Sequence, residues 1–165
     1  MDMDRFTTMA RQTLSAAQSL AVTSNHGELS PLHVLVALLQ EERSVARDLV
    51  ERAGFQPGEI ARTATAELDR LPRVSSSSGY TPTTSPALVS VLAEAQRLAG
   101  DRGDGYTSQE LLLLALSRTP SSARDVMNTV GLASPTIESA IDELRAASGI
   151  DSIDDPEAES SFEAL

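Results

Sequence analysis

Residues 27–39 of this chain read GELSPLHVLVALL, and residues 105–117 read GYTSQELLLLALS, the same layout written again 78 positions later. Such a repeat constrains the fold more than any single motif, because whatever the first copy builds the second must build too. The offset holds elsewhere. TLSAAQSLA at 13–21 aligns with VLAEAQRLA at 91–99, sharing Leu, Ala, Gln, Leu and Ala, and Ser30 aligns with Ser108. One residue is then lost, and SVARDLVERAG at 44–54 aligns with SARDVMNTVG at 122–131, sharing Ala-Arg-Asp and the terminal glycine. Similarity between two Leu/Ala-rich helices is common by chance, whereas caps, turns and helices recurring in one order are not. The chain reads as a tandem duplication.

Punctuation then gives the unit its parts. Ser-Pro stands at 30–31, 85–86 and 134–135, each time before an apolar-periodic stretch. Serine caps free helix amides, and proline fits a first turn that needs no N–H from it. Gly54 and Gly131 each follow a short amphipathic segment, where a helix closes in a left-handed turn. These marks predict helices near 4–22, 31–40, 45–53, 58–70, 86–101, 108–117, 122–130 and 135–147, four per repeat. The second of each four is apolar nearly all round, the pattern of an enclosed rod with amphipathic partners wrapped about it. Aromatics make up only 3% of residues, so the core must be Leu, Ala, Val and Ile, which suits helix packing better than a sheet. The expected fold class is all-α, a pseudo-two-fold pair of four-helix units. A unit of that size is marginal alone, so the halves should pack as one body. Repeat one spans about 4–71 and repeat two 85–147. A Ser/Thr/Pro-rich surface linker joins them at 72–84, and the acidic stretch 148–165 reads as a flexible tether toward a following module.

Charge and composition exclude several functions. The net charge is −11, and no Lys occurs. Six acids follow Arg145, which leaves −5 for residues 1–145. An acidic body without a basic run lacks what phosphate backbones require, so nucleic acid is not an expected partner. The absence of Cys removes thiol catalysis and Cys-ligated zinc. The start MDMDRFTT has neither the basic nor the apolar part of a secretory signal, and the longest apolar run, Leu111 to Leu116, falls far short of a membrane span. A soluble, cytoplasmic chain with no membrane partner is expected.

Catalytic constellations are equally scarce. His26 and His33 lie seven apart, but no matching third or fourth ligand accompanies them, so no metal is expected, and His33 reads as an interhelical hydrogen-bonding residue. There is no Gly-x-Ser-x-Gly elbow, and no Gly-Lys-Ser/Thr phosphate loop exists without Lys. Acid pairs such as Glu41–Glu42 and Asp142–Glu143 read as solvated helix faces. The chain by itself is expected to be no enzyme and to carry no cofactor.

DRFT at 4–7, AAQSLA, ELSPLHVLVALL, ELDRLP, AQRLAGDRGDGYTSQELLLLAL and EAESSFEAL follow in that order. In sequence and spacing they resemble the amino-terminal (Clp N, double-repeat) domain of ClpB-type protein disaggregases over essentially the whole chain. The resemblance implies a domain that binds unfolded or aggregated polypeptide and delivers it to a hexameric ATP-dependent unfoldase. The isolated domain would be a monomer and the full-length protein a homohexamer, and EAESSFEAL would open the first ATPase module.

The resemblance also nominates residues. Thr7, Asp104 and Glu110 match positions that matter for substrate handling in such relatives. Leu98 and Leu111 match an apolar substrate groove, and Tyr106 is its expected rim. Glu94 stands where some relatives have a further apolar groove position. Each has a plainer reading: Thr7 as a first-turn stabiliser, Asp104-Gly105 as a turn, Thr107-x-x-Glu110 as a capping box, Tyr106 as a packing aromatic. Related protease-coupled Clp proteins use a similar domain to bind adaptor proteins, some of these domains binding phosphorylated arginine through an acid in both repeats. Here the first-repeat counterpart of Glu110 is Leu32, which favours the disaggregase branch.

Overall fold

The computed structural model describes residues 3–75, 80–159 and 162. Among the described residues, eight α-helices follow a 3-10 turn at Met3–Arg5: α1 Thr8–Thr23, α2 Pro31–Gln40, α3 Val45–Arg52, α4 Pro57–Leu68, α5 Pro86–Asp101, α6 Gln109–Arg118, α7 Ser122–Thr129 and α8 Ser134–Ser148. The boundaries lie within two residues of those expected, except at the start of α1, and the cap of α8 also differs. α1 begins at Thr8, because Thr7 is its N-cap and accepts from the Ala10 amide at 3.1 Å. α8 is capped at Ala133, and Ser134 lies inside the helix, where its hydroxyl accepts from Arg118 Nε at 2.8 Å.

The duplication is visible atom by atom. Thr7 and Ser85, 78 apart, both cap a first helix. Ser44 and Ser121, 77 apart, both cap a third helix, so the lost residue falls in the loop between the second and third helices. Gly54 and Gly131 close α3 and α7 at φ +92° and +85°, a conformation that costs a residue with a Cβ about 1 kcal/mol.

The two halves are laced together rather than apposed. Two short strands, β1 Glu28–Leu29 and β2 Thr83–Thr84, pair in parallel, and Phe6 pairs with Thr107 in the same sense. Leu29↔Thr84 and Thr107↔Phe6 are one contact related by the 78-residue offset, so the residues before each first helix bind the residues before the other repeat's second helix. Helix packing is exchanged as well. α2 packs on α1 and α4 but also on α6 and α7, while α3 lies against α6 and α8. Each unit wraps its own rod as expected, and each third helix also lies against the other repeat's rod. A four-helix unit buries too little alone, and sharing its third helix between both rods helps give each a complete sheath. Leu111 to Leu116 on α6 are all fully buried, each leucine contributing about 1.5–3 kcal/mol.

The connections depart from the sequence reading in one place. In the linker, Arg73 pairs with His26, and the Tyr80 hydroxyl donates to His26 O, just after α1, at 3.1 Å. Residues 76–79 of that linker, and 160, 161 and 163–165 of the tail, lie outside the described residues. The stretch after Ser148, read as a flexible tether, is packed where it is described. Ile153, Glu159 and Phe162 are buried. Its acids mislead in composition because one of them, Glu159, points inward.

Candidate functional site

Five of the six nominated residues, all but Leu98, surround the place where the 3-10 turn, α6 and the tail meet. The chain turns at Gly103 after α5, which sets Asp104 facing α8. Arg145 of α8 reaches back with both arms. Its Nη1 and Nη2 donate to Asp104 Oδ1 and Oδ2 at 2.9 and 2.7 Å, and its Nε and Nη2 donate to Glu110 Oε1 at 2.8 and 2.5 Å. All three side chains are buried, Asp104 and Glu110 completely. Burial pushes the Glu110 carboxyl above its ordinary range and Arg145 pulls against it. For Arg145, burial alone would lower the guanidinium, yet the two acids hold it above its ordinary value. This arrangement locks α5, α6 and α8 in register. A guanidinium shared by two acids presents neither acid to solvent.

The leucines behave likewise. Leu111 is fully buried and Leu98 nearly so, and both belong to the core. The expected exposed groove floored by Leu98 and Leu111 is therefore corrected, because an enclosed α6 has no apolar face to spare. Glu94 is tied along α5 to Arg97, with Nε–Oε1 at 2.6 Å. The capping box at Thr107 does not form: Glu110 serves Arg145, and Thr107 exchanges backbone bonds with Arg5 and Thr7 at 2.7 and 3.0 Å. What faces outward is a cavity of about 420 Å³ lined by Arg5, Gln96, Gly100, Asp104, Tyr106 and their neighbours. Half-buried Tyr106 and the main chain of Asp104, whose carboxylate is turned inward, thus share one surface depression. Thr7, Glu110 and Leu111 lie behind it as its support.

Residues 5–130 match the Clp repeat (R) N-terminal domain family. The chain belongs to that family. As a Clp N-terminal domain it is 33% identical over 163 residues to the chaperone protein ClpB of Propionibacterium freudenreichii subsp. shermanii, covering 99% of this chain and 19% of that protein. It is 33% identical to ClpB of Pseudomonas putida over 165 residues, covering 100% of this chain and 19% of the other. The domain thus spans about a fifth of the length of these relatives. The Hsp104 N-terminal domain from Candida albicans superposes with a TM-score of 0.80 at 28% identity, covering 93% of this chain and 98% of that one. A ClpV N-domain solved in complex with a VipB peptide shares the fold, with a TM-score of 0.65 at 23% identity over 81% of this chain and 82% of that one.

Sequence reasoning missed three residues of this Clp N-terminal domain that build the site. Arg145 was legible as the next core position after Ile137 and Ile141, four apart, where a base must be paired. Gln109 donates its side-chain amide to Thr13 Oγ1 at 2.9 Å, and its carbonyl accepts from the Val45 amide at 3.0 Å, joining three helices. Glu159 accepts from the Gln109 amide at 2.9 Å and from the Thr7 hydroxyl. Burial raises Glu159 to about 7, with Glu110 adding to the rise, while Thr7 and Gln109 oppose it. No sequence signal separated that inward acid from its exposed neighbours. Among the described residues no group of His, Asp and Glu is arranged to hold a metal, and no helix is long and apolar enough to cross a membrane.

Proposed function

We propose that this domain recognises unfolded segments of other polypeptides for a ClpB-type, ATP-driven hexameric chaperone. In that reading the depression over Arg5, Gly100, Asp104 and Tyr106 is the contact surface. The observation that carries it is a half-buried tyrosine beside a cavity of about 420 Å³, on a wall stiffened from behind by the Asp104–Arg145–Glu110 cluster. A pre-formed wall spends little of its binding energy on ordering itself. Membership of a family that includes ClpB relatives, and a ClpV N-domain with a bound peptide, point the same way.

Each apolar side chain taken up contributes about 1.5–3 kcal/mol before ordering costs. Two or three contacts give roughly micromolar affinity or weaker. Weak binding suits a domain that must release its cargo to a motor, and six tethered copies restore strength through effective concentration. Adaptor binding is less favoured, because Glu110 is consumed by Arg145 and Leu32 replaces its counterpart.

Gly100 tests this from an exposed position, since a Cβ there meets no atom within 4 Å. Titration of fluorescein-labelled casein should show Gly100→Phe binding at least fivefold more weakly than wild type, with an unchanged melting temperature. Equal affinity would remove the depression from the reading.

A further inference from the structure

The turns that end α1 and α5 are one structure built twice. His26 N donates to Ala21 O at 2.9 Å and Asn25 N to Val22 O at 3.1 Å. At the 78-residue offset, Asp104 N donates to Ala99 O at 2.8 Å and Gly103 N to Gly100 O at 3.1 Å. Asn25 and Gly103 hold the same left-handed backbone, at φ +59° and +76°. Each turn can therefore be read by the other.

The turn in repeat one holds a side chain from the linker. The Tyr80 hydroxyl donates to His26 O at 3.1 Å, with Val22 O and Ala21 O at 3.4 and 3.5 Å beside it. Carbonyls at the end of a helix have no amide partner further along it and lie at the negative end of its dipole. They attract a donor and repel an anion.

In repeat two the equivalent oxygens belong to Asp104, Gly100 and Ala99, and all three residues line the depression of about 420 Å³. The Asp104 carboxylate is turned inward to Arg145, so its main chain is what the depression meets. No described residue donates to Asp104 O. By the same offset Tyr80 corresponds to Asp2, whose carboxylate has no proton to give at pH 7 and is repelled by such oxygens. The approach differs as well, Met3–Arg5 forming a 3-10 turn where Thr83–Thr84 form a strand. Two further differences favour a ring. Gly100 stands in place of Val22, and a Cβ there meets no atom within 4 Å. Tyr106 stands in place of Glu28, an aromatic against which another can pack.

We propose that the depression binds a tyrosine side chain of another polypeptide, its hydroxyl donating to Asp104 O as that of Tyr80 donates to His26 O. This rests on reading the depression as the contact surface for unfolded segments, and it gives that surface a preference. Tyrosine is taken over phenylalanine through one hydrogen bond to main chain, and an acid at the same position is disfavoured.

NMR of the ¹³C,¹⁵N-labelled chain, titrated with acetylated and amidated Ser-Gly-Tyr-Thr-Pro-Thr-Thr, tests it. This neutral peptide presents tyrosine in the sequence that surrounds Tyr80. The expected result is saturable shifts of the Gly100, Gly105 and Tyr106 amides and a downfield move of the Asp104 carbonyl carbon. The His26 carbonyl carbon should stay in place, because Tyr80 already holds it. The same peptide with Phe for Tyr should bind roughly three- to tenfold more weakly and leave the Asp104 carbon unmoved. In the free chain, Tyr80→Phe removes the equivalent contact and should move the His26 carbon upfield. Equal affinity for the Tyr and Phe peptides, equal affinity for a Lys peptide, no shift at the depression, or an unmoved His26 carbon in Tyr80→Phe overturns the proposal. The two readings fail separately. Casein weakened by Gly100→Phe, with Tyr and Phe peptides bound alike, leaves the contact surface and removes its preference. Casein unaffected by Gly100→Phe, with no peptide shift at the depression, rejects both.

Discussion

Glu159 gives the structure a pH-dependent clasp. Its carboxyl is fully buried against Thr7 and Gln109 and titrates near 7 in the folded chain, against 4.5 when exposed. The docked tail therefore holds a proton that the released tail gives up, and docking must strengthen as pH falls from about 7 toward 4.5 and stay level outside that window. Between pH 8 and pH 5 the gain is about 2–3 kcal/mol, on the order of a hundredfold in docked over undocked population. Glu159→Gln keeps the shape and both partners without the charge. It should dock at pH 8 as firmly as wild type does at pH 5 and lose this pH dependence. Hydrogen exchange at the Gln109 and Tyr106 amides, corrected for intrinsic rates, reads the clasp directly, with the Leu113 amide as a core reference. If wild type and Glu159→Gln show parallel pH profiles, or if wild-type protection falls on acidification, the placement of the carboxyl is wrong.

Other substitutions separate support from surface. Arg145→Met strands Asp104 and Glu110 in the interior and should cost about 3–5 kcal/mol of stability in chemical denaturation, whereas adding Asp104→Asn and Glu110→Leu should recover much of it. Leu111→Ala removes a fully buried side chain and should cost about 2–5 kcal/mol, while peptide affinity at temperatures well below melting stays within twofold. Thr7→Ala and Ser85→Ala each remove an equivalent cap worth about 1 kcal/mol. Thr7→Ala should cost more of the two, because only Thr7 also holds Glu159.

Much of this molecule was legible because its local signals agree. Ser30, Ser85, Gly54 and Gly131 mark helix ends by backbone chemistry that needs no tertiary partner, and the structure honours each. What was not legible depends on contacts distant in sequence. Thr7 and Glu159 are 152 positions apart, and nothing local distinguishes Glu159 from the exposed Glu157. The sharing of α3 between both rods is invisible for the same reason, since its apolar stripe shows a buried face but not which helices it covers. Leu111 illustrates the opposite error. A resemblance to a groove position suggested exposure, while the all-round apolar pattern of its own helix already required burial.

The two halves diverge most where a buried polar group must be paid for. Positions 104, 110 and 145 carry Asp, Glu and Arg; their counterparts 26, 32 and 68 carry His, Leu and Leu. An isolated charge at any of the first three would be untenable in the core, so that set can only exist complete, and once complete it gives little net stability for its desolvation. What it does give is geometry: a guanidinium held by two carboxylates fixes three helices, and the same corner can then seat a chain segment ending in a buried acid. The repeat-one set asks less. Two neutral rings satisfy each other and the Ser30 amide, and Leu32 and Leu68 fill the volume. A corner built from ions is specific for the segment it holds, whereas a corner built from leucine and proline holds its neighbours by packing alone. Duplication followed by this one trade yields two corners on one scaffold, one held by buried ions and the other by neutral side chains.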